Sequence, residues 1–173
     1  MKRMKQSLMC VLSIIGVAVI VSFASADDRP DNATVSFGQW KTDPPLDRFP
    51  NNSPAAANNH QLIPDEVKVK AGGAVNFITS GLHLLIVYDD GTQPGDIDVN
   101  DTNNTTGMPV VALINDPTDR IYRGLDPSLT PRDRVEVVHF SQPGTYLVIC
   151  GIRGHFVNDG MYGFVRVLPG GKK

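Results

Sequence analysis

Near its C-terminal end the chain reads Cys150-Gly-Ile-Arg-Gly-His155-Phe-Val-Asn-Asp-Gly-Met161. A thiol, an imidazole and a thioether therefore lie close together in sequence, separated by segments that hold three glycines. Glycine reaches backbone conformations closed to other residues, so such a loop can curl until three side chains face one point. Thiolate, imidazole and thioether are soft to borderline ligands. Two histidines and a cysteine in a trigonal set, with a long axial methionine, are the donors of an electron-transfer copper site. Zinc could take the same ligands, but the thioether argues for copper. The plain alternative for Cys150 is a small buried core residue.

A second imidazole must come from outside the loop, and the candidates are His60, His83 and His139. Val135 to Phe140 and Thr145 to Cys150 read as strands. The turn Gln142-Pro143-Gly144 between them predicts a hairpin. In that hairpin Cys150 would face Arg134 or Val135, leaving His139 about 13 Å or more away, as a strand or rim residue. His60 lies in irregular chain, and nothing local constrains it. His83 follows Ser80-Gly81 and opens an apolar strand. A turn on one side and core packing on the other are what a preorganised ligand needs.

The remaining elements have to position these groups. Val67 and Val69 alternate with lysines. Ala71-Gly72-Gly73 marks a turn, and Val75 and Phe77 alternate again, as in a half-buried strand. Leu84 to Tyr88 is continuously apolar and suits a strand buried on both faces. Further strand candidates are Thr34 to Phe37, Val110 to Ile114 and Phe164 to Leu168. Helix is expected only as a short piece within 115–133. Seven or eight short strands punctuated by turn residues predict an all-β fold, a Greek-key β-sandwich. Residues 65–173 would form it, with 89–133 as a long insertion and 27–64 as an N-terminal extension.

The first 26 residues look like an export signal. Lys2, Arg3 and Lys5 precede an apolar run from Leu8 to Phe23, followed by Ala24-Ser25-Ala26. That is the layout of a cleaved secretory signal peptide. An uncleaved anchor is the rival, but the apolar run is shorter than the roughly 20 residues a spanning helix needs. Cleavage would leave 147 residues, with Cys150 as the only cysteine and no internal disulfide. A free thiol in an oxidising periplasmic or secreted setting has to be buried or occupied. Three of the 16 basic residues would leave with the signal and none of the 18 acidic ones, for a net charge of −5. No basic stripe remains for nucleic acid, whereas a basic protein partner would be attracted.

Gly144-Thr-Tyr146-Leu-Val-Ile-Cys150, Gly154-His155 and Gly160-Met161-Tyr-Gly163 together resemble the C-terminal signature of the cupredoxins, the plastocyanin, azurin and auracyanin type. Val67 to Tyr88 resembles the strands that lead to their upstream histidine. The resemblance covers about a third of the chain. It implies an eight-stranded sandwich with one type 1 copper ion at one end, held by His83, Cys150, His155 and Met161. It also implies a carrier of single electrons rather than an enzyme, working with partners such as a c-type cytochrome or a membrane or periplasmic oxidoreductase. Two departures stand out. The His155–Met161 gap is one residue longer than usual, which leaves the Leu82 carbonyl as a substitute or additional axial donor. Leu84 stands where the family often has Asn, so only its backbone N–H could reach the Cys150 sulfur. His155, Phe156, Val157 and Tyr162 are expected to form an apolar port at the rim. A copper chaperone or scavenger, and a copper enzyme sharing its site between subunits, remain open as other uses of the same ligands.

Overall fold

A computed structural model describes residues 30–38, 40–41, 57–58 and 60–170. The expected signal segment 1–26, with Cys10, lies outside the described residues. None of the described helices is long and apolar enough to cross a membrane.

Among the described residues thirteen strands follow in chain order: β1 (Asn32–Gly38), β2 (Trp40–Lys41), β3 (Ala57–Asn58), β4 (Leu62–Ile63), β5 (Glu66–Lys70), β6 (Gly73–Ser80), β7 (Leu85–Asp90), β8 (Thr102–Asn104), β9 (Ala112–Ile114), β10 (Arg120–Arg123), β11 (Asp133–Phe140), β12 (Gly144–Cys150) and β13 (Tyr162–Leu168). The one α-helix among the described residues, α1 (Arg153–Val157), sits between β12 and β13, and a single 3-10 turn spans Pro94–Asp96. Two sheets make the body, with strand orders β11-β6-β1-β4 and β10-β7-β12-β13-β5. They share one core, in which Phe37, Val75, Phe77 and Phe140 of the first sheet meet Val69, Leu85, Val87, Leu147 and Val165 of the second. The sandwich expected from the alternating segments is therefore present.

The apolar run Leu84–Tyr88 is fully buried throughout. It runs between β10 and β12 and is covered on both faces, which is why it does not alternate. Burying each such side chain contributes about 1.5–3 kcal/mol, so this strand and its neighbour β12 anchor the sheet that carries the cysteine.

Three expectations need correction. First, β11 and β12 do not form a hairpin. β11 pairs along its whole length with β6, and β12 pairs with β7 and β13 in the other sheet. The Gln142-Pro143 turn is an arch between sheets. Alternation and a turn look the same in either case, because which backbone accepts the hydrogen bonds is not written in the side-chain period. The turn 71–72 between β5 and β6 is a second arch of the same kind. Second, the strand candidate at Thr34–Phe37 is real and longer. β1 lies inside its sheet, parallel to β6 and antiparallel to β4, so residues 32–38 belong to the sandwich body. Third, the helix falls at 153–157, inside the ligand loop, and none forms within 115–133.

The 89–133 connection is structured. β8 pairs with β9, and β10 extends the second sheet beside β7. It carries a well-tied turn in which Asp126 accepts from the backbone and hydroxyls of Thr106 and Ser128.

Candidate metal centre

Cys150 ends β12, the central strand of its sheet, opposite Leu85 of β7. Its sulfur is completely buried. Backbone N–H groups of Leu84 and Ile152 donate to it, so the contact expected from Leu84 is made without the help of a side chain. The chain then leaves the strand under tight control. Gly151 donates to Leu84 O and accepts from Ile114, and Ile152 bridges to Leu113 of β9. Gly151 leaves no room for a side chain, since a Cβ there would strike Leu84 and Ile86.

α1 follows as little more than one turn, with Phe156 N–H on Ile152 O and Asn158 N–H on Gly154 O. Gly154 and Val157 are poor helix formers, so this turn carried no helix signal in the sequence. Anchors outside it hold it in place. Arg153 reaches across to the carbonyl of Val99, at 2.8 Å, so the long connection braces the ligand loop. Met161 closes the loop: its carbonyl accepts from Cys150 N–H and its N–H donates to His155 O, both at 2.9 Å. Two backbone bonds thus tie Met161 to both other loop residues, and the additional residue bulges outward at Asn158–Gly160, all of it exposed. The Met161 side chain is fully buried within the His, Cys, His, Met cluster.

His83 comes from the other direction. It follows the β6–β7 break, where Gly81 has φ +98°, and it is almost completely buried. Phe37 packs edge-on against its ring. Gly38, at φ +84°, lies so close that a Cβ would collide with Nε2 and Cδ2 of the ring. The carbonyl of His83 accepts from Arg134 at 2.8 Å. That guanidinium is paired with Glu136 at 2.6 Å, both nearly buried, and Glu136 also accepts from Tyr122 at 2.8 Å. A chain of polar groups from β10 and β11 therefore fixes the first histidine. Sequence reasoning did not single out Arg134 or Gly38, because their importance depends on where β11 and β1 pack.

The donor atoms converge. Cys150 Sγ lies 3.6 Å from Nδ1 of His83 and 3.6 Å from Nδ1 of His155, and the two nitrogens are 3.2 Å apart. A point equidistant from all three lies about 2.0 Å from each, close to the bonds of about 2.0–2.3 Å that a first-row ion such as zinc makes to nitrogen and sulfur. The trio, with a buried thioether in the cluster, fits a copper ion by both size and ligand softness.

His139 lies on β11, exposed and paired with Ala74 at the far end of the other sheet. It is outside the cluster as expected, although the hairpin that argued for this does not exist. His60 is a different matter. One ligand nitrogen from each of His60, His83 and His155 lies within 4.8 Å of the other two. The His60 ring leans over that of His155, with centroids 3.9 Å apart. It is placed by the next residues: Gln61 O accepts from Gly38 N–H, and Leu62–Ile63 pair with β1. The short apolar pair before Pro64 was the one available signal, and it is too short to read as a strand.

The rim is less apolar than expected. Phe156 is buried, leaving Val157 and Tyr162 exposed beside the half-exposed His155. The 89–133 connection opens with several aspartates; of these, Asp90 pairs with Tyr146, near the end of the sandwich away from Cys150. At about 3.3 Å per residue that is about 13–17 Å from the site.

Burial pushes the Cys150 thiol up to about 12, against the pull of the two N–H donors and of Arg134. Burial, and then the neighbouring His60, draws His155 down to about 4, with Asp159 opposing. In the metal-free chain near neutral pH the thiol therefore keeps its proton and the His155 imidazole is neutral, with its lone pair available to a metal.

No protein-family model matches the sequence, and no curated protein matches it. Solved structures do. Dithionite-reduced auracyanin from Roseiflexus castenholzii is 19% identical, over 82% of this chain and 99% of that one, with a TM-score of 0.49. Auracyanin A, described as a "blue" copper protein, from Chloroflexus aurantiacus is 19% identical over 79% of this chain and 99% of that one, with a TM-score of 0.46. Native pseudoazurin from Hyphomicrobium denitrificans is 18% identical over 79% and 74%, with a TM-score of 0.41. All three are cupredoxins.

Proposed function

We propose that this chain is an exported type 1 copper protein of the cupredoxin kind, which carries single electrons between redox partners. The observation that carries the reading is the near-equilateral triangle of Cys150 Sγ, His83 Nδ1 and His155 Nδ1, at 3.2 to 3.6 Å. Copper bound there would supply a one-electron couple.

The protein's own part is to hold the donors still and dry. Cys150 and His83 are buried at the end of two central strands, so the ligand positions change little with the state of the ion. Cys150 would give up its thiol proton to a bound ion, and the N–H groups of Leu84 and Ile152 would stabilise the resulting thiolate and tune the site. Met161, buried at the closed end of the loop, would add its thioether as a further, weak donor. His155 alone of the four reaches the surface, so electrons would pass through its imidazole, beside Val157 and Tyr162. A partner such as a c-type cytochrome or a membrane or periplasmic oxidoreductase would dock on that rim.

The test is an absorption spectrum of the protein after addition of Cu(II), followed by ascorbate. An intense visible band that ascorbate bleaches is expected, and Cys150→Ser should abolish it. Colour retained in the variant would refute thiolate ligation.

A further inference from the structure

His60 is left over by the four-ligand reading, and three observations say that it is more than cover. One of its ring nitrogens lies within 4.8 Å of donor atoms of both His83 and His155. Its Nδ1 is shut off from solvent and has no hydrogen-bond partner among the described residues, although the ring edge is exposed. Its Nε2 faces the Asp159 carboxylate at 4.0 Å. A carboxylate beside one imidazole nitrogen favours the tautomer that carries the proton there. The other nitrogen is left with a bare lone pair, which is how metal-binding histidines are commonly oriented. A buried polar atom without a partner is costly, at about 1–3 kcal/mol, and a cation in the cluster would satisfy it.

We infer that His60 supplies a third imidazole to the ion held by His83, Cys150 and His155, through Nδ1, with Asp159 as the positioning residue on Nε2. This rests on the copper reading above and extends it from two histidines to three. Asp159 lies in the 156–160 segment, the stretch with the additional residue, so the longer loop acquires a purpose. It carries the carboxylate that aims His60. Three imidazoles and a thiolate would draw Cu(II) towards a more tetragonal field than two imidazoles and a thiolate do, and His60 would close the approach by which an outside ligand could reach the ion.

The experiment compares the Cu(II) forms of the full mature chain and of His60→Ala by absorption, electron paramagnetic resonance and copper affinity, with and without added imidazole. The expected result is a shifted visible band, a changed copper hyperfine splitting, at least tenfold weaker copper binding, and restoration of the original spectrum by free imidazole. Asp159→Asn should move the same spectra in the same direction by less. A coloured wild-type protein whose His60→Ala variant keeps its spectrum, hyperfine splitting and affinity would overturn the role of His60 alone. A wild-type chain that binds no Cu(II) would overturn both readings. Should His60→Ala fail to fold, pulsed resonance on the wild-type protein counts its coordinated imidazoles: three are expected, and two would overturn the inference.

Discussion

The two histidines of the triangle are held in opposite ways. His83 is set by distant parts of the chain: Gly38 and Phe37 from β1 press on its ring, and Arg134 from β11 holds its carbonyl while paired to Glu136 and, through it, to Tyr122 of β10. His155 rides on one helical turn tied by the backbone bonds among Cys150, His155 and Met161, with Arg153 on the Val99 carbonyl as a brace from the long connection. One ligand is part of the core, and the other rides on a loop that the core merely clips in place. A site that must keep its geometry and still reach the surface is served by this division. The rigid half defines the ion's position, and the adjustable half provides the exit.

Substitution can break that asymmetry. Arg134→Met should have the largest effect. It leaves the Glu136 carboxylate buried with only the Tyr122 hydroxyl and leaves the His83 carbonyl without this donor, a loss of about 3–5 kcal/mol, read from urea unfolding of the metal-free chain. Gly38→Ala comes next. A residue with a Cβ is strained at φ +84° and collides with the His83 ring. The cost is about 2–3 kcal/mol from backbone strain and overpacking together, accompanied by weaker copper uptake. Gly154→Ala is the counterpart on the loop side. Among the described residues only Asn158 approaches the new methyl, at 3.9 Å, and alanine favours the helical turn. The change should be neutral or stabilising by up to about 1 kcal/mol. A loss as large as that of Gly38→Ala would show that the two halves are equally rigid.

The smallest effect is one of pH. In the metal-free chain His155 titrates at about 4 instead of 6.5, because burial and His60 disfavour its charge. Its folded value is the depressed one, so the unfolded chain takes up the proton first. Stability present above pH 6.5 is then lost as pH falls towards 4. The imidazole is only half buried and partly screened by solvent, so the slope should be shallow. Unfolding midpoints measured between pH 4 and 7 check it, and a midpoint that rose on acidification would contradict the assignment.

The loop side was legible in the residues. Cys150, His155 and Met161 are close in sequence, and glycines between them make convergence possible whatever the rest of the chain does. The apolar run Leu84–Tyr88 likewise announced a strand covered on both faces, because five consecutive apolar side chains leave no face of a strand free to meet water. The fold class followed from such short-range patterns.

Residue order alone, then, settles whatever depends on neighbours along the chain: the soft-ligand loop, most of the longer strands, and the all-β class. The remainder came from packing. It placed β11 and β12 in different sheets, because side-chain alternation does not say whose backbone completes the hydrogen bonds. It made Arg134 and Gly38 supports of His83, and it brought His60 to the cluster by pairing two residues beyond it with β1. A histidine in irregular chain can become a ligand only when some distant strand captures its flanks, and that capture is a property of the packed whole.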